Sequence, residues 1–128
     1  MERKIISAGI LLGLIAIILG AFGAHALKKD LSTEQLASFE IAVKYQMYHA
    51  FFLLFLGSTA HITNKVKKKV FLFVILGVFL FSGSIFLLST KTISGIDIKL
   101  IGALTPVGGA FLIVAWSLGL WSVWKSKR

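Results

Sequence analysis

Between Ile5 and Leu27 the chain carries no Asp, Glu, Lys or Arg, and the same holds over 45–64, 70–90 and 100–124. Each run reaches the roughly 20 helical residues needed to cross a hydrocarbon core of about 30 Å. Membrane strands would alternate polar and apolar positions in segments of about 10 residues, and these runs do not alternate. The pattern predicts an all-α membrane protein: four transmembrane helices in a bundle, one integral membrane domain over 1–128.

The segment between the first two runs has its own signature. Ser32-Thr33-Glu34-Gln35 fits a capping box, with Ser32 as N-cap and Gln35 three residues on, and Leu31 and Leu36 take the hydrophobic staple positions. Leu36, Phe39 and Val43 form an apolar face, opposed by Glu34, Gln35 and Ser38, and Glu40 is spaced to pair with Lys44. These features predict a short amphipathic helix over about 33–44, lying at the membrane interface and running, bent or straight, into the second transmembrane helix.

Composition supports this reading and removes others. The chain is 57% hydrophobic with a mean hydropathy of +0.90, above the roughly 45–50% apolar content of soluble domains. It has no cysteine, which excludes disulfides, thiolate metal sites and thiol catalysis. The net charge of +9 does not point to nucleic acid, because every charged residue lies outside the apolar runs. It orients the chain instead. Arg3, Lys4, Lys65, Lys67, Lys68, Lys69, Lys125, Lys127 and Arg128 fall on the side shared by both termini. They outnumber Lys28, Lys29, Lys44, Lys91 and Lys99 on the other side, where Asp30, Glu34, Glu40 and Asp97 also lie. Positive charge stays inside, so the expected location is the cytoplasmic (inner) membrane with both termini cytoplasmic. Trp121 and Trp124 suit the inner aromatic belt, Tyr45 and Tyr48 the outer one. Ala24-His25-Ala26 resembles a signal-peptidase site, but the preceding apolar stretch exceeds a usual signal core of about 7–15 residues. An uncleaved anchor helix is expected.

Polar and irregular residues gather at one depth. His25 ends the first run. Tyr45, Gln46 and His49 share a face at the start of the second. Ser82 and Ser84 lie in the outer half of the third run, and Thr105, Pro106, Gly108 and Gly109 in the outer half of the fourth. Polar side chains in a membrane face the bundle interior or a cavity, so a shared outer-leaflet cluster follows. Its simplest use is to tie helices together: His49 to the carbonyls before Pro106 or to a serine of the third helix, His25 to the outer loop. Its functional use is a surface contacting membrane lipids or a partner helix. A small oligomeric transporter or channel is one alternative, and a haem or metal site through His25 and His49 another. The latter lacks a carboxylate second shell, so no cofactor or metal is expected. No carboxylate enters the runs, and no Ser-x-x-Lys, nucleophile elbow, P-loop or HExxH occurs. No catalytic residue is assigned. Gly9, Gly13, Ala16, Gly20 and Ala24 form a small-residue stripe on the first helix, suited to packing within the bundle or to contact between copies in a homo-oligomer.

Four stretches, GAFGAHAL, YQMYHA, FSGSIF and LTPVGGAFLIVAW, in this order over nearly the whole chain, resemble domain-of-unknown-function family 423 of small bacterial inner-membrane proteins. The family pattern falls on Gly20–His25, Tyr45–Ala50, Ser82–Phe86 and Thr105–Gly109. Ile85-Phe86 stands where the family has Leu-Tyr, and Ala115-Trp116 where it has Gly-Trp, so a role for a tyrosine hydroxyl in the third helix does not carry over. The resemblance implies a four-helix integral membrane protein and brings no activity, substrate or cofactor with it.

Overall fold

The computed structural model describes residues 1–96 and 99–127, leaving Asp97 and Arg128, two of the charges used to orient the chain, outside the described residues. Among the described residues every regular element is helical. Helix α1 (Glu2–Ile17) passes through a π-helical turn (Ile18–Gly23) into the single turn α2 (Ala24–Leu27). Then come α3 (Thr33–Ser58), α4 (Asn64–Ser89), the short α5 (Lys91–Ser94) and α6 (Lys99–Lys125). Three helical segments, Glu2–Leu27, Asn64–Ser89 and Lys99–Lys125, are long and apolar enough to cross a membrane. The fourth, α3, is also 26 residues long but carries Glu34, Glu40, Lys44, Gln46 and His49.

Helix α3 joins two pieces that the sequence pattern separates. The expected interfacial helix over 33–44 and the second apolar run form one continuous helix. It begins at the expected capping box: the Gln35 N–H donates to Ser32 Oγ at 3.1 Å and the Ser32 N–H to Gln35 Oε1 at 3.0 Å. It stops at Ser58, short of the expected end near His61 and of the end of the apolar run at 64, because the chain turns extended at Thr59 (φ −80°, ψ 141°). The lysine run 65–69, expected as a loop, is helical and forms the first turns of α4. Lysine is a good helix former, and no Pro or Gly interrupts 64–69.

The helices pack in sequence order, α1 on α3, α3 on α4 and α4 on α6. Small residues set the closeness. A Cβ on Gly9 would lie 2.9 Å from the Ala50 carbonyl oxygen, Gly13 faces the Ala50 methyl, and Gly20 faces Val43. The small-residue stripe of α1 thus packs on α3 of the same chain. A Cβ on Gly108 would meet Phe81 N at 2.3 Å, Leu80 C at 2.7 Å and Gly77 O at 2.9 Å. At Gly77 and Gly108 the backbones of α4 and α6 therefore touch with nothing between them, as small residues permit in membranes. The core draws on all four long helices through Ile5, Leu53, Leu56, Val70, Val74 and Ala115. One end of the molecule holds the start of α1, the 59–63 turn and the end of α6; the other holds the start of α3, α5 and the start of α6.

Candidate functional site

The polar residues of α3 point into the packing. Gln46 is 5% exposed and His49 3%. Gln46 Nε2 donates to the Leu12 carbonyl of α1 at 2.9 Å. Ser82 Oγ of α4 donates to the Ala42 carbonyl of α3 at 2.9 Å. Ser84 Oγ donates to the Phe81 carbonyl and shares a hydrogen bond with Thr105 Oγ1 of α6. No buried side-chain nitrogen or oxygen among the described residues lacks a partner. Four of the sequence-selected residues, Gln46, His49, Ser82 and Ser84, thus lie inside the protein with Thr105 beside them.

His49 does bond a neighbouring helix, but not the partner expected. Neither the carbonyls before Pro106 nor a serine of α4 receives it. Trp116 Nε1 of α6 donates to His49 Nε2 at 3.0 Å, and His49 Nδ1 lies 2.6 Å from the Tyr45 carbonyl one turn back. An indole N–H only donates. His49 Nε2 must therefore accept, and Nδ1 must carry the proton and donate to Tyr45. The hydrogen-bond network assigns the neutral Nδ1–H tautomer. Trp116 also stacks on Phe52, ring centroids 4.1 Å apart and planes within 9°. The His49–Phe52–Trp116 group joins α3 to α6, helices distant in sequence. An indole in mid-run, away from the belt positions 121 and 124, needs a partner for its N–H. That was the available signal.

The remaining selected residues sit elsewhere. His25 is exposed, and its ring makes no hydrogen bond among the described residues; its backbone carbonyl accepts from the Lys28 N–H. The expected bond from its side chain to the loop is not made, because the π turn and α2 leave the ring on the surface. Tyr45 is 41% exposed and packs against Phe81 and Tyr48. Gly108 is spent on the α4 crossing, while Gly109 only borders the Phe81 ring. Pro106 lies inside α6. It has no N–H for the carbonyl of Gly102 one turn earlier. Thr105, Pro106 and Gly102 line a cavity of about 560 Å³ with Glu34, Ser38 and Lys91. Both ring nitrogens of His49 are engaged, so ligating a metal or haem would break its bond to Trp116. Among the described residues no three His, Asp or Glu side chains gather as a metal cluster.

The family model described as "Protein of unknown function (DUF423)" matches residues 19–109. A UPF0382 membrane protein of Staphylococcus saprophyticus is 39% identical over 114 residues, 89% of this chain and 91% of its own. The UPF0382 membrane protein YwdK of Bacillus subtilis is 37% identical over 117 residues, 89% of this chain and 90% of its own. The UPF0382 inner membrane protein YgdD of Escherichia coli is 31% identical over 119 residues, 91% of this chain and 86% of its own. No solved structure matches. With the family model covering most of the chain and relatives spanning nearly all of it, the chain belongs to the DUF423 family of membrane proteins.

Proposed function

We propose that this chain is a non-enzymatic membrane protein with four spans that binds a zwitterionic lipid headgroup at the end opposite its termini. The observation that carries the reading is the composition of the 560 Å³ cavity there. It places Glu34 and Lys91, opposite charges without an ion pair among the described residues, around Gly102. The Gly102 carbonyl lacks its helical donor because of Pro106. A phosphoethanolamine group matches this set: its phosphate suits Lys91, and its ammonium, a threefold donor, suits Glu34 and the Gly102 carbonyl. Ile41, Ile85 and Leu88 supply an apolar wall for the chains.

The fourth span in this proposal is α3. Its polar residues Gln46 and His49 are buried against α1 and α6, which is where polar groups of a membrane helix belong. Its exposed face carries Ile41, Tyr45, Tyr48, Phe51 and Phe55. The basic residues near the termini support a cytoplasmic location for that end, which in this proposal puts the cavity in the outer leaflet. The same buried groups are each hydrogen-bonded to protein, so they hold the helices that frame the cavity and do not themselves contact the lipid.

The test is native mass spectrometry of protein released from nanodiscs holding phosphatidylethanolamine and phosphatidylcholine with matched chains. Choline cannot donate a hydrogen bond, so retained lipid should favour phosphatidylethanolamine, and Glu34→Gln should erase the preference. Equal retention of the two lipids by the parent protein would refute the reading.

A further inference from the structure

A larger cavity, about 730 Å³, opens at the end that carries the termini. It lies between the 59–63 turn, the first turn of α4 and the last turns of α6, and Lys67, Lys125 and Lys127 all line it. Its acidic residue, Glu2, is already bound to Lys67 at 2.9 Å, and this lysine is 1% exposed. Lys125 is held with its ammonium 4.5 Å from the centre of the Trp121 ring.

The start of α4 adds to this excess of positive charge. A helix N-terminus presents free N–H groups and the positive end of the macrodipole, which favours acids nearby. Here the first turn contains no acid, and Thr63 gives no side-chain cap. Of the lysines in those turns, Lys67 alone lines the cavity. Lys67 is neutralised by Glu2, whereas among the described residues no acidic side chain pairs with Lys125 or Lys127 or lies in the first turn of α4. The cavity also has an apolar side, made by Val66, Leu118 and the 58% exposed Trp121.

We propose that this cavity binds the phosphate of an anionic phospholipid in the leaflet on the side of the termini. Lys125, Lys127 and the N–H groups at the start of α4 receive the phosphate, and the Leu118–Trp121 wall takes the upper part of an acyl chain. A headgroup with tails fits better than a free anion, because the apolar wall continues into the lipid-facing surface of α6, where Leu120, Trp121 and Trp124 are exposed. Basic pockets between helix ends are a recurrent way of holding anionic headgroups.

The probe is palmitoyl-oleoyl-phosphatidylglycerol, titrated into phosphatidylcholine nanodiscs that contain the full chain, with retained lipid read by native mass spectrometry. The double variant Lys125→Gln/Lys127→Gln should lose about tenfold to thirtyfold in phosphatidylglycerol affinity, the effect of two near-surface cations. The control Lys65→Gln/Lys68→Gln removes the same charge from residues that do not line the cavity, and should change affinity less than threefold. Equal losses in the two variants would mean diffuse attraction without a site and would overturn the proposal. Displacement of the lipid by millimolar inorganic phosphate would overturn the lipid assignment as well. Phosphatidylethanolamine preference at the opposite end is read in a different lipid pair and moves with Glu34, so the two proposals fail separately.

Discussion

Gly108 and Gly109 are chain neighbours on one helix, yet a methyl group at each should have opposite consequences. At Gly109 an added Cβ sits 3.7 Å from the Phe81 ring, an ordinary contact; at Gly108 it sits 2.3 Å from Phe81 N and 2.7 Å from Leu80 C. The atoms it meets at Gly108 are backbone, so no side chain can swing away. Restoring normal contact requires α4 and α6 to separate by about 1 Å. A gap of that size forfeits about a quarter to a half of the attraction of each atom pair across it, and overpacking costs about 1–3 kcal/mol. The change in helix propensity from Gly to Ala is shared by both sites and cancels in their difference. Gly108→Ala should therefore be about 2–3 kcal/mol less stable than Gly109→Ala. Unfolding by sodium dodecyl sulfate titration, followed by the fluorescence of the three tryptophans, measures that difference. If the two variants unfold at the same detergent fraction, the backbone crossing at Gly77 and Gly108 is wrong.

Other expectations follow from single contacts. Trp116→Phe keeps the ring against Phe52 but removes the donor to His49 Nε2, and should cost about 0.6–2 kcal/mol, the range for interhelical bonds in membranes. A double-mutant cycle with His49→Ala should return a coupling of similar size, and one indistinguishable from zero would count against the bond. Glu2→Gln should destabilise more than Lys67→Met, since the first strands a buried ammonium without its counter-charge and the second removes it while keeping much of the volume; thermal denaturation in detergent ranks them, and the reverse order would discredit the pair. For the proposed orientation, a cysteine at Ser94 should react with an impermeant thiol reagent in intact cells and one at Ser126 should not.

What the sequence made legible was mostly local. The capping box at Ser32 and Gln35 is a contact between residues three apart, and the apolar runs report on the surroundings of each helix one at a time. The end of α3 was misplaced because Ser58, Thr59 and Ala60 are uncharged: hydropathy registers them as membrane, while the backbone turns there. The inward direction of Gln46 and His49 followed from polarity, but their partners did not. Leu12 and Trp116 lie 34 and 67 residues away, and no spacing rule links positions so far apart. Lys67 was hidden within a run of identical side chains at 65, 67, 68 and 69. Only the approach of Glu2, at the start of α1, to α4 selects which lysine turns inward.

The order of packing bears on how the chain comes together as it is made. Each long helix after the first packs on the long helix that precedes it, so no helix has to wait for one distant in sequence before burying its closest backbone face. Such a topology favours rapid, local assembly and suits vectorial synthesis, in which N-terminal segments emerge first. The exception is the group around His49, which stays incomplete until Trp116 arrives. Until α6 docks, His49 Nε2 and the face of Phe52 remain open within the half-built protein. An acceptor left unpaired among the helices is costly where water is scarce, so its pairing adds to the drive for α6 to dock.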